Sequence, residues 1–216
     1  MHLKRQESPK NWPVERKGTT YLVRPRYNIN QGVPVLVVMR DMLKFAANRR
    51  EVKKALNGKQ ILLNHRNVFD DRDNVLLFDV VTITGASEKN YRLIIGKNKK
   101  FALKEIHGSE ANQKTSKVVN KTTLKGGKIQ INLSDGRNFL SDVKCRTNDS
   151  VIVNLKSKKI ERSIPLKKDA RVIVFAGKHA GEEGVIKEID EEKNMVKLES
   201  DKEMINILIK QIMVLE

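Results

Sequence analysis

Two groups of basic residues in this chain are spaced to grip phosphate. Arg49, Arg50, Lys53 and Lys54 crowd one side of a short helix predicted after Asn48, and Lys59, His65 and Arg66 follow within a dozen residues. On an isolated helix, like charges this close cost roughly a few tenths of a kcal/mol per pair, and the positive end of the helix dipole adds to the penalty. A polyanion reverses both terms. A lone charged helix usually means only a solvated face, but here the positive row runs on past the helix. No competing chemistry is legible. The four histidines, His2, His65, His107 and His179, are scattered without metal-ligand spacing, and no nucleophile motif or paired-carboxylate pattern is present. No cofactor, metal or small-molecule substrate is therefore expected, and no catalysis.

The elements that must hold this row can be read locally. Pro34 suits a first helical position, and Val35, Leu36, Val38, Met39, Met42, Leu43 and Ala46 give the first helix a broad apolar face from which Arg40 and Lys44 point away. Asn48 caps a second helix with Glu51 as its reciprocal partner, Val52, Ala55 and Leu56 face inward, and Gly58 ends it. A strand over residues 61–63 then meets a tight turn at Asn64 to Asn67, before a further strand from Val68, which should set His65 and Arg66 beside the second helix.

Composition points the same way. The 216 residues hold 43 Lys plus Arg against 26 Asp plus Glu, a net charge of +17, and the isoelectric point is about 9.9, a basic footprint typical of nucleic-acid partners. By segment the net charge is +5 over 1–34, +3 over 35–84, +13 over 85–168 and −4 over 169–216. These shifts divide the chain into an extended basic arm (1–34), a helix-pair RNA-binding domain (35–84), a lysine-rich β central domain (85–168) and a small barrel (169–216), an α+β, mostly β chain. With one cysteine, Cys145, there is no disulfide framework. No apolar run reaches membrane-spanning length and no signal-peptide core precedes the arm, so a cytoplasmic protein is expected.

The arm holds four of the five prolines and a basic cluster at His2, Lys4 and Arg5, joined further on by Arg24 and Arg26. Trp12 among them can stack on a base or anchor the arm, and anchoring is the commoner use. From residue 75 the pattern turns to short β-rich runs. Strands are expected over 80–84, 91–95, 101–104, 117–124, 128–133, 137–140, 150–154 and 159–164, with hairpins at Gly96 to Asn98, Lys125 to Gly127 and Asp135–Gly136. Lys97, Lys99, Lys100, Lys114, Lys117, Lys121, Lys125 and Lys128 cluster on these turns, where lysines make position-tolerant phosphate contacts. In the last segment, strands at 171–175 and 185–189 flank a loop with glycines at 177, 181 and 184, expected to turn on positive backbone angles. The loop carries Lys178 and His179 but lacks the Ser or Thr and the helix of a nucleotide-hydrolase phosphate loop. A third strand at 195–198 and an apolar stretch at 205–214 complete a five-stranded, SH3-like barrel.

The arm with His2, Leu3, Lys4, Arg5, Ser8, Pro9 and Trp12, the helix pair from Pro34 to Leu56, and the glycine-spaced loop at 177–184 together resemble the S4e family of archaeal and eukaryotic small-subunit ribosomal proteins. The resemblance covers nearly the whole chain. It implies an S-four-type RNA-binding domain at the helix pair, a β-rich central domain and a KOW motif in the barrel, with Arg49, Arg50, Lys53 and Lys54 matching the basic start of the family's second helix and Gly184 the motif's glycine. The implied role is structural: binding folded small-subunit rRNA beside neighbouring small-subunit proteins, as a monomer within the ribosome. Two features depart from the pattern. The chain starts a few residues late, and Asp70, Asp71 and Asp73 make the loop after the RNA-binding module acidic; the chain's shortness favours an archaeal source. Two other readings stay open: an RNA-modifying enzyme, since such domains also precede pseudouridine synthases, and a KOW-type transcription or translation factor docking through its acidic barrel.

Overall fold

The computed structural model describes residues 2–85, 87–96, 98–190, 192–200 and 203–215. The chain divides into two compact units, one of residues 1–96 with 100–112, the other of 97–99 with 113–216.

The first unit begins with the arm, which folds back on itself. Leu3–Lys4 pairs antiparallel with Tyr21–Leu22, and the Arg5 guanidinium donates to the Glu15 and Thr19 carbonyls and to Thr19 Oγ1. Trp12 is buried, 2% exposed, and its Nε1 donates to Gly32 O at 2.9 Å. Gly32 lies in the strand Gly32–Pro34, paired with Asn74–Leu76. A Cβ on Gly32 would come within 2.4 Å of Val75 O, so only glycine lets these backbones approach.

The first helix is shorter and more buried than its sequence suggests. Pro34 is its cap in extended conformation, Val35–Val37 forms one α-turn, and Val38–Met42 continues as π-helix. Val35 through Met39 are all buried, so packing surrounds this segment instead of leaving it one polar face; Ala46 lies beyond its end. The second helix, Arg49–Asn57, follows the sequence closely. Asn48 Oδ1 accepts from the Glu51 N–H at 3.0 Å, and Val52, Ala55 and Leu56 are buried. The reciprocal bond differs, because Glu51 takes the N–H of Ala47 and the Asn48 amide instead of the Asn48 N–H. Gly58 ends the helix as expected, its N–H donating to the Leu56 and Lys54 carbonyls, though not through a left-handed backbone. Gly58 has φ −75°, and the left-handed residue is Lys59 at φ +53°.

Behind the helices lies a five-stranded antiparallel sheet in the order Arg66–Asn67, Ile61–Leu63, Val80–Ile83, Lys89–Ile95, Phe101–Ile106. Asn64 and His65, both at positive φ, make the two-residue turn between the first two strands, so the return strand starts at Arg66, ahead of Val68. Buried Asp79 fixes this turn by accepting from Asn64 Nδ2 at 2.7 Å. The hairpin joining Val80–Ile83 to Lys89–Ile95 carries the sheet across residue 84.

The second unit holds two more five-stranded antiparallel sheets. In the central one the long strand Gln113–Thr123 lies between Ile129–Leu133 and Ser150–Asn154, with Asn138–Leu140 and Lys159–Ile164 at the edges. Gly126, Gly127 and Gly136 take positive φ at two of the expected hairpins. Three lysines expected on the surface are turned inward. Lys114 is buried and its ammonium meets Asp135 Oδ2 at 2.7 Å; burial pushes the Asp135 carboxyl up, but Lys114 overrides this and leaves it below its ordinary value. Lys121 donates to Cys145 O. Lys117, 4% exposed, donates to Ile209 O and Ile212 O.

Ile212 belongs to the last sheet and Ile209 to the turn before it; the sheet is ordered Met204–Leu208, Met195–Glu199, Glu183–Asp190, Arg171–Val174, Ile212–Val214. A turn of 3₁₀ helix, Ile209–Gln211, joins its edge strands, and Val172, Val174, Ile186, Val196, Leu198 and Ile212 fill its core. Gly177 and Gly181 take positive φ in the loop, but Gly184 lies within a strand, where a Cβ would sit 2.6 Å from Glu199 O. Its requirement is close approach, not turning.

Lys117 and its cross-strand partner Ser150 both reach the strand Ile212–Val214, since Ser150 Oγ accepts from the Val214 N–H at 2.9 Å. Burial pushes the Lys117 ammonium down to about 8. The Lys117→Met variant takes the ammonium donor away from the buried Ile212 and Ile209 carbonyls, of which only Ile209 O keeps a partner in the Ile212 N–H, and should lose about 2 kcal/mol of unfolding free energy in urea. Because the folded-state value lies below the unfolded one of 10.5, the unfolded chain binds more protons between the two. Wild-type stability should therefore gain on that of Lys117→Met as pH rises from about 8 toward 10.5.

Candidate nucleic-acid interface

The acidic loop that departs from a basic pattern proves to be an arginine clamp. Each of its three carboxylates holds one arginine, and each arginine comes from a different element. Asp71, 2% exposed, accepts from Arg49 of the second helix, Nε to Oδ2 at 2.5 Å and Nη2 to Oδ1 at 3.2 Å. Asp70 takes Arg72 of the loop itself, Nη2 to Oδ2 at 2.9 Å. Asp73 faces Arg26 of the arm, Nη1 to Oδ1 at 3.5 Å. Hydrogen bonds from Arg72 hold the Asp70 carboxyl well below the usual carboxylate range, while burial pushes that of Asp73 up.

Backbone bonds make the same loop the junction of the first unit. Asp73 N donates to Asp70 O at 3.1 Å, closing the turn, while the N–H groups of Val35 and Leu36, which open the first helix, donate to Asp73 O and Asp71 O, each at 2.9 Å. Arg26 N donates to Arg72 O at 3.1 Å. Arm, first helix and second helix are thus all tied to residues 70–73.

The clamp leaves much of each cation outward. The Arg49 side chain stays 50% exposed and that of Arg72 51%. Each carboxylate binds the Nε and Nη2 edge, and among the described residues nothing bonds Nη1 of either guanidinium. A fixed, planar donor edge of this kind matches phosphate oxygens. Arg50, Lys53, Lys54 and Lys59 are exposed beside it, and Arg66 is exposed on the short strand of the adjoining sheet. His65 is half-buried, with Nε2 enclosed and unbonded.

The other sequence candidates differ in exposure. His2, Lys4, Lys44, Lys99, Lys100, Lys125, Lys128 and Lys178 are exposed, with the His2 ring 5.4 Å from that of Tyr21. Three are occupied internally. Trp12 anchors the arm, which leaves no ring face for a base. Arg5 turns its donors onto the arm's own backbone, and Arg40 forms a two-bond pair with Asp41 at 2.8 and 2.9 Å. Arg24 is half-buried, and His179 is half-buried with Nδ1 3.1 Å from Glu182 Oε1. Lys97 lies outside the described residues. The sequence reading missed Arg72 and Phe69, both exposed at the clamp. The available signal was the alternation of acid and arginine from Asp70 to Asp73 directly after an aromatic residue.

Known proteins align with this chain over most of its length. The model of the RS4NT (NUC023) domain matches residues 1–27, that of Ribosomal family S4e residues 87–160, and that of the KOW motif residues 168–199. The small ribosomal subunit protein eS4 of Methanocella arvoryzae is 39% identical over 87% of this chain and 80% of its own length. That of Methanothermobacter thermautotrophicus is 38% identical over 88% and 79%. Among solved structures, the 30S ribosomal protein S4e from Thermoplasma acidophilum superposes with a TM-score of 0.73 at 26% identity, covering 86% of this chain and 95% of that one.

Removing one clamp carboxylate separates preorganisation from charge. Asp71→Asn adds one positive charge yet releases Arg49. RNA affinity in filter binding should fall, by about fivefold for roughly 1 kcal/mol of lost side-chain order, where a purely electrostatic surface would bind more tightly.

Proposed function

The chain belongs to the ribosomal S4e family, and we propose that its arginine clamp is the part of it that seats folded small-subunit rRNA. The family is one of structural ribosomal proteins and not of enzymes, which removes the RNA-modifying reading. Its place is the small subunit of the cytoplasmic ribosome, among rRNA and ribosomal proteins, in translation.

The observation that carries the proposal is the clamp itself, which sets Arg26, Arg49 and Arg72 from three elements on one loop. Arg50, Lys53, Lys54, Lys59 and Arg66 extend the positive surface around it. Together they would contact phosphates at an irregular RNA junction, reading shape more than sequence. Lys99, Lys100, Lys125, Lys128 and Lys178 would add position-tolerant contacts along neighbouring backbone, as would His2, Lys4 and Lys44. Trp12, Arg5 and Arg40 are left out of this set because their polar groups are used within the protein. The division of labour follows the four segments read from the sequence, with the sheet of the helix-pair part continuing to Ile106. The protein would sit in the particle as a monomer.

A KOW-type factor docking through its barrel makes the opposite prediction about which residues matter. Arg50→Glu with Lys53→Glu, both exposed and outside the ion pairs, should weaken rRNA binding strongly and lower the slope of log affinity against log salt by about 2, near 0.9 for each lost phosphate contact. Lys193→Glu with Lys210→Glu in the barrel carries the same charge change and should do far less. Equal losses, or a slope unchanged by the first pair, would contradict the assignment.

A further inference from the structure

Phe69 precedes the clamp and is 79% exposed, more than any other large apolar side chain among the described residues. A single exposed apolar side chain is ordinary; what sets this ring apart is its place on the wall of a cleft among cations. The ring lines a cleft of about 490 Å³ together with Arg49, Lys53, Asn57, Asp70 and Arg72, within the size range of small-ligand sites. The composition of the cleft identifies the partner's chemistry. Both carboxylates on its wall are engaged by arginines, so the groups turned outward are cationic: the Nη1 edges of Arg49 and Arg72 and the Lys53 ammonium. A protein segment of ordinary apolar character would bury these charges without compensation. A nucleotide supplies what each part lacks, a flat π-face for the ring and a phosphate for the cations.

We propose that this cleft takes a single unpaired nucleotide of the bound RNA, its base stacked on Phe69 and its phosphates held by Arg49, Lys53 and Arg72. This rests on the rRNA-binding reading and adds to it one splayed-out base. The ring and the cations have separate tasks. Stacking is uncharged and insensitive to salt, whereas the cations set the salt dependence.

The experiment uses the full chain and a small-subunit rRNA transcript, in filter binding across a salt series, with Phe69→Ala, Phe69→Trp and the Arg50→Glu/Lys53→Glu variant. Ultraviolet crosslinking of the wild-type complex, read by mass spectrometry, runs alongside. Phe69→Ala should bind roughly 5- to 100-fold more weakly, with the wild-type salt slope and the wild-type thermal midpoint. Phe69→Trp should stay within a few-fold of wild type, and the crosslinked peptide should contain Phe69. If Phe69→Ala binds as wild type while Arg50→Glu/Lys53→Glu still fails, the stacking site is overturned and the rRNA interface stands. If wild type itself shows no salt-dependent binding, the rRNA reading falls and the stacking site with it. Binding of naked transcript that ignores Phe69 overturns the site even if the substitution disturbs incorporation into particles, since that outcome assigns the ring to a neighbouring protein.

Discussion

The buried carboxylate of Asp71 and the three residues around it fix the geometry on which the first unit depends. One four-residue turn receives the N–H groups that open the first helix, bonds the arm through its backbone, and clamps an arginine from the arm, from the second helix and from itself. An arginine side chain carries about 2 kcal/mol of rotamer freedom. Where that freedom is already lost in the free protein, less is lost when phosphate arrives. Three acidic residues that look like a local obstacle to RNA therefore serve to aim cations at it, and the net charge of a surface says less about its affinity than the order of its donors.

The second unit applies a related rule to its lysines. A strongly basic β protein must decide which cations remain outside. Lys114, Lys117 and Lys121 lie along one strand and are satisfied by Asp135, by the Ile209 and Ile212 carbonyls, and by the Cys145 carbonyl. Lys117 ties two sheets together, while Lys114 and Lys121 fasten a hairpin turn and a loop to their own strand. Lys125 and Lys128, a few residues on at the hairpin tip, are exposed. Burial of an ammonium is tolerable only where it finds acceptors, and the edge strand Ile212–Val214 with its preceding 3₁₀ turn supplies two for Lys117.

Local signals in the sequence served well where the determinants are themselves local. The strands Ile61–Leu63, Ser150–Asn154 and Lys159–Ile164 match the expected β-rich runs residue for residue, and the Asn48 cap and inward face of the second helix were readable from spacing alone. Long-range partners were not. Nothing near Lys117 in the sequence announces acceptors more than ninety positions away, so it read as a surface lysine. Arg49 read as a phosphate ligand and Asp71 as an anomaly because their pairing spans 22 positions. The helix stop at Gly58 was also readable, while the left-handed residue that follows it, Lys59, carries no local signal of its own. Phe69 carried no periodic signal, since its exposure is a property of the folded loop.

The central claim is that the arginines are held before RNA arrives, and relaxation of arginine Nε–H groups in the free protein measures this directly. Arg49 and Arg72, bonded through Nε, should show order parameters close to the rigid backbone, about 0.85, while exposed Arg50 falls below about 0.6. Equal mobility at all three would contradict the account.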